Sequence, residues 1–171
     1  MISITACHHA DPKTISRLDS LLAVLDTTQK MADSIDFKKE ATNSNQIKSD
    51  LEFIQNNFKD TLTREMGFAL SDYKSIVADE GKGRDENYEL MLMKELHYSH
   101  EQVLNLKHDF EKADMNAEDF KKYYDLESTA IANLHRFVKE KQNEFNRKQE
   151  LYNHLQPKVS AFIDSIKNDK K

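Results

Sequence analysis

Apolar residues recur every seven positions through the last third of the chain. Tyr124, Ile131, Val138, Phe145, Tyr152, Val159 and Ile166 form one column. Phe120, Glu127, Leu134, Lys141, Lys148, Leu155 and Phe162 form a second, interleaved at steps of four and three. This is the a/d pattern of a helix packed along a supercoiled seam, and a strict period of seven implies a left-handed supercoil. At 1.5 Å per residue the repeat extends for ~70 Å. Glu127, Lys141 and Lys148 interrupt the second column. Either they form a buried polar device that sets register, or the seam is open there. The expectation is an open seam, with the lysine stems lying along it and their ammonium groups in water. Tyr123, Ala130, Phe137 and Leu151 flank the seam and suggest a second packing face toward other helices.

The rest of the chain reads as helices too. Asp11 and Pro12 suit the N-cap and first helical position, and Ile15, Leu18, Leu22 and Leu25 then follow at steps of three and four. This predicts a first helix over about 12–38 and a connection in the polar run Ala41 to Asn45. Ile47, Leu51, Ile54, Phe58 and Leu62, continued by Met66, Ala69, Tyr73 and Ile76, predict a second helix from near Ser44 to about residue 79. Gly67 marks a bend or break near 63–67. Gly81-Lys82-Gly83 is the clearest turn, and Leu92, Leu96, Val103, Leu106 and Phe110 predict a third helix over about 85–113. Asp114-Met115-Asn116 is a tight connection, with Asn116 as cap and Glu118 and Asp119 at the positive helix end. The fourth helix then runs over 117–168. Pro157 falls inside it, yet Tyr152, Leu155, Val159 and Phe162 keep their phase, which favours a continuous, kinked helix.

Composition agrees with long helices. In 171 residues there are three Gly and two Pro, with 32% charged and 38% hydrophobic residues. The predicted fold is therefore all-α: an elongated, mostly antiparallel coiled-coil-like bundle of about four long helices. The organisation expected is a short N-terminal tether over 1–11, one bundle domain over 12–168 and a frayed tail over 169–171. The formal net charge is −5. Residues 117–171 hold eleven Lys/Arg against nine Asp/Glu and are net +2, leaving −7 on the remainder. That is mild complementarity between packed helices, and no basic face suited to nucleic acid is visible. No run of 18 apolar residues is available to span a membrane.

The one cysteine is Cys7, so an internal disulfide is excluded. It follows Ile4, Thr5 and Ala6: an apolar residue, two small residues and a thiol. The segment resembles the lipobox that ends the signal peptides of bacterial lipoproteins. The resemblance implies that Cys7 receives a diacylglyceryl thioether and becomes the mature N-terminus after cleavage. Six residues, none of them Lys or Arg, precede Cys7, so the resemblance also implies a start upstream of Met1.

Chemistry beyond the anchor is sparse. His97 and His100 share a helix face, with Glu101 and His108 nearby, but the Glu-x-x-His pairs of di-iron bundles are absent from the sequence. These histidines read as solvated surface groups, and neither metal nor cofactor is expected. Gly-x-Ser-x-Gly is absent, and Gly81 and Gly83 lack the context of a phosphate loop, so no catalytic residues are assigned. The sequence leads to a non-enzymatic, lipid-anchored protein of the bacterial cell envelope. Its partners would be another protein and, through Cys7, a membrane. The rival reading is a cytoplasmic coiled-coil adaptor or chaperone-like protein without lipid.

Overall fold

The computed structural model of this protein describes residues 11–78, 88–112 and 114–168. The fold is all-α, with five helices and no strand among the described residues. They are α1 (Pro12–Asp33), α2 (Phe37–Asn57), α3 (Arg64–Ser75), α4 (Tyr88–Glu111) and α5 (Ala117–Asn168). The segment Ile4-Thr5-Ala6-Cys7, His8-His9, the Gly81-Lys82-Gly83 turn and the tail over 169–171 lie outside the described residues.

Two helix starts follow their sequence signals. The Asp11 carboxylate accepts the Lys13 N–H at 3.2 Å and the Thr14 hydroxyl at 3.1 Å, and Pro12 occupies the first turn. The Asn116 side chain accepts the Asp119 N–H at 2.9 Å, so donors at the start of α5 are satisfied.

The early boundaries fall elsewhere than the pattern predicts. The first helix stops at Asp33, where the Ser34 hydroxyl donates to the Met31 carbonyl at 2.7 Å. Asp36 then caps α2 by accepting the Lys39 N–H at 2.8 Å. The polar run Ala41 to Asn45 is thus inside a helix. Thr42 donates to the Lys38 carbonyl one turn back, and Asn43 donates to Gln149 of α5 at 3.1 Å. Side chains that commonly compete with helical backbone here have partners compatible with it. The predicted second helix is divided between α2 and α3. Phe58 is extended, and Thr63 opens α3 by accepting the Met66 N–H at 3.2 Å. Gly67 sits within α3, its N–H bonded to the Thr63 carbonyl. The new cap, not the glycine, sets the break.

The chain folds into two compact units. Unit 1 takes α1, α4 from Glu89 and α5 up to Glu140; unit 2 takes α2, α3, Tyr88 and α5 from Lys141. In unit 1, Asp26 lies 3.8 Å from His100 and Asp19 lies 2.6 Å from Lys107, so α1 and α4 are antiparallel. Arg17 lies over Tyr124 and Thr28 meets His135, so α1 runs parallel to α5. The buried side chains of this unit include Leu18, Leu25, Leu96, Val103, Ile131 and Val138.

In unit 2, Glu40 pairs with Lys148 and the Lys167 ammonium lies over the Phe53 ring, so α2 and α5 are parallel. Ile47, Ile54, Leu70, Tyr73, Leu155, Val159, Ile163 and Ile166 form its core. Phe58, just past α2, meets Phe162 edge-on with ring centroids 5.0 Å apart. Pro157 lies inside α5, as its preserved phase predicted. It and Asn153, the residue four earlier whose carbonyl loses a donor, both face solvent, where water can replace the lost bond. Leu155 and Val159 remain buried on either side of it.

Candidate functional site

The a/d columns of α5 meet different surroundings along the helix. Ile131, Val138, Val159 and Ile166 are buried, as the repeat predicts. Lys148 departs from expectation. Its ammonium is not in water: the side chain is 9% exposed and sits 2.8 Å from Glu144 and 3.5 Å from Glu40. The first turn of α2 brings Glu40 to this level, while Glu144 lies one turn earlier on α5. Two carboxylates therefore compensate the desolvated cation. Lys141 bonds the other oxygen of Glu144 at 2.9 Å and stays partly exposed. Burial pushes the Glu144 carboxyl up, but hydrogen bonds from Lys148 and Lys141, with their charges, outweigh it and bring it down to about 2.

One helical stretch further on, Asp50 is buried and accepts the Tyr73 hydroxyl at 2.9 Å and the Gln46 amide at 2.7 Å. Tyr73 stacks on Tyr152 at 6.1 Å. Burial raises the Tyr73 hydroxyl far above its ordinary range, and the bond to Asp50 and that carboxylate's charge raise it further, so it remains a donor. Burial, followed by the charge of Asp50, also raises Tyr152. Tyr73→Phe removes one of the donors to a buried carboxylate. It is expected to cost about 1.5–3 kcal/mol, the range for a hydrogen bond to a charged group, measured as a lower urea midpoint with an unchanged slope.

Lys148, Glu40, Asp50 and Tyr73, at the centres of the two networks, are buried and bonded to protein partners. Recognition needs surface, and each unit offers a groove. In unit 2, a groove of about 520 Å³ lies between α3 and α5, with Met66, Phe68, Ala69, Leu151 and Leu155 among its lining. Phe68 is 61% exposed, with the Arg64 guanidinium 5.5 Å above its ring. Glu65 and Asp72 face this groove together with His154 and Lys158, whose nitrogens are 3.3 Å apart. Its charges are mixed. Leu151, expected on a second packing face, lines this opening.

In unit 1, a groove of about 280 Å³ lies between α4 and α5, lined by Gln102, Asn105, Leu106, Asp109, Met115, Tyr123 and Glu127. The contacts of α1 fall on another side of the same two helices, at Met93, His100 and Lys107 of α4 and at Tyr124 and His135 of α5. The groove is thus the α4–α5 face that α1 leaves open. Met91 and Tyr98 extend it along α4, and Tyr123, Ala130 and Phe137 extend it along α5, each seven residues from the last. Met91 and Tyr98 are more than half exposed, and Tyr123 and Phe137 exceed one third. Of the flanking residues that predict a packing face toward another helix, Tyr123 and Ala130 are exposed to solvent among the described residues of unit 1.

The histidines do not gather. His97 pairs with Glu101 at 3.4 Å on the surface, His100 faces Asp26, and His108 lies beside Asp109 at 3.6 Å. Among the described residues no three His, Cys, Asp or Glu side chains converge as a metal ion requires. No described helix is long and apolar enough to cross a membrane. Cys7, the predicted lipid attachment point, lies outside the described residues.

The sequence reading missed the partners of Lys148 and the buried Asp50. A signal was available for each: Asp50 falls in the Ile47–Ile54 stripe, and Glu40 falls in the first turn once Asp36 is taken as the cap. In comparisons with known proteins, no family model, curated protein or solved structure matches the chain. What the fold and surface define is a class: an all-α protein whose polar networks centre on buried residues and whose open grooves are helix-lined.

Proposed function

We propose that this protein is a non-enzymatic helical binding module of the bacterial cell envelope, held at a membrane by lipid on Cys7, which receives a segment of another protein on unit 1. The observation that carries the reading is the α4–α5 groove with Met91, Tyr98 and Tyr123 turned toward solvent. Contiguous apolar surface rimmed by polar groups is the usual mark of an interaction site, and tyrosine is enriched among residues that dominate binding energy. The buried Lys148 and Asp50 networks support a structural role for unit 2, since their charged groups are consumed by one another.

The anchor rests on Ile4, Thr5, Ala6 and Cys7. Two acyl chains hold a protein at a membrane where one binds only weakly. Expressed from its complete native reading frame in a bacterium, the protein is expected in the membrane fraction, with lipid on Cys7 by mass spectrometry of the mature N-terminus. Cys7→Ser is expected to abolish the modification, because a hydroxyl is a far poorer nucleophile than a thiolate. The melting temperature should not change, since Asp11 and Pro12 still cap the first helix. An unmodified N-terminus on a soluble cytoplasmic protein would remove the anchor and leave an adaptor. The binding role is tested by photo-crosslinking in cells from positions 98 and 137, with position 16 as a control on exposed α1 surface. A discrete adduct from the first two and none from the third is expected.

A further inference from the structure

Resting on the reading of unit 1 as a binding module, we infer that the partner segment is an amphipathic helix bearing lysine or arginine beside its apolar stripe, seated as a fourth helix in the α4–α5 groove. Three features define this occupant: the shape of the groove, the spacing of its apolar residues and the sign of its charge.

Shape comes first. Two antiparallel helices covered on one side by α1 leave a second inter-helix groove on the other, which is where a four-helix bundle places its remaining member. Spacing comes next. Met91 and Tyr98 on one wall, and Tyr123, Ala130 and Phe137 on the other, repeat at seven residues. A surface with that period complements a helix with the same period, whereas an extended peptide alternates at two. From Met91 to Asp109 the α4 wall is ~27 Å long at 1.5 Å per residue, which matches about five turns of a docked helix.

Charge selects the chemistry. Glu127 lines the groove, and Glu95 stands on the same face of α4, one heptad before Gln102. Asp109 lines it nearer the α4–α5 turn, beside His108. Lys122, at the same end, has its ammonium 5.7 Å from the Tyr123 ring. Burial, and then the neighbouring Glu95 charge, hold the Glu127 carboxyl above its ordinary range. A partly desolvated Glu127 in the groove thus stands near an exposed Glu95 on the adjoining α4 surface. A cation delivered between them gains from both, and an anion is repelled. The α3–α5 groove of unit 2 lacks this bias, because Lys158 and His154 oppose its acids.

The test uses the intact protein and three synthetic helical peptides of ~20 residues, about the length of the groove. They share one leucine and alanine stripe and differ only in the residues bordering it, which are lysine, glutamine or glutamate. Fluorescence anisotropy at low and high salt reads binding. The lysine peptide is expected to bind at least about tenfold more tightly than the glutamine peptide, with the advantage shrinking as salt rises. The glutamate peptide is expected to bind most weakly. Glu95→Gln with Glu127→Gln should bring the lysine peptide to the glutamine level while the melting temperature holds or rises, since a like-charge repulsion is removed. Tyr98→Ser with Tyr123→Ser should weaken every peptide.

Equal binding of lysine and glutamine peptides would overturn the basic partner but leave the binding module standing. Binding unaffected by the tyrosine changes would move the site off this groove and overturn the inference. Concentration-dependent self-association in sedimentation that Tyr98→Ser abolishes would make the occupant a second copy of the chain. No binding by any peptide, together with no crosslinks from positions 98 and 137, would overturn both readings.

Discussion

Lys148→Ala is expected to lower stability by about 3–5 kcal/mol, the cost of removing one member of a buried ion pair. The loss leaves Glu40 and Glu144 approaching each other without the ammonium that stands between them. Lys148→Met keeps most of the stem volume and should recover little, which separates charge from packing. Lys141→Leu is the control. Its ammonium touches Glu144 from a partly exposed position, so it should change stability by no more than ~1 kcal/mol. Acid carries a second signature. The Glu144 carboxyl is at about 2 in the folded protein, below its ordinary value. Its contribution is therefore complete above the ordinary carboxylate range and is lost as pH falls through about 2. In Lys148→Ala that acid-dependent loss should shrink, because a principal hydrogen-bond donor to Glu144 is gone. Urea unfolding followed by circular dichroism at neutral pH and at several acid pH values reads both effects.

Val138→Asp is the other large effect expected. Val138 is fully buried in unit 1. A carboxylate placed there either stays ionised without adequate solvation or takes up a proton, and the cost is several kcal/mol. The sign of its pH dependence is opposite to that of Glu144. The new carboxyl has a folded pKa raised above its unfolded value, so the penalty is least in acid. It grows as pH rises through the unfolded pKa and levels off above the folded one. A melting temperature matching that of the parent at neutral pH would mean that this position of the seam is not enclosed in solution.

These two residues also mark how far the sequence could be read. Val138 was legible because an apolar seven-residue period survives any choice of partner helix. Lys148 was not, because a lysine at a seam position looks the same whether it reaches water or a carboxylate. The deciding residue, Glu40, is 108 positions away. The same holds for the boundary at Asp36. Ala41 to Asn45 reads locally as a turn, and it is a helix partly because Asn43 bonds Gln149, 106 positions away. Local capping, as at Asp11 and Asn116, was readable, whereas tertiary satisfaction of polar groups was not. The groove was half legible. Tyr123, Ala130 and Phe137 announced a face, but the pattern could not say that these three residues would stay more than one third exposed.

The order of pairing has a consequence for how the protein is made. Thr28 meets His135 across 107 positions, and Glu40 meets Lys148 across 108. Both α1 and α2 find their α5 partners only after most of the chain has been synthesised. At about 5–20 residues per second, that interval is ~5–20 s. During it the Leu18 stripe is exposed without α5, while the Ile47 stripe of α2 has only its local partner α3, met through Leu70 and Tyr73. Closing such long loops slows folding more than it weakens the finished structure. The α1 and α2 stripes are therefore fully covered only once α5 has emerged.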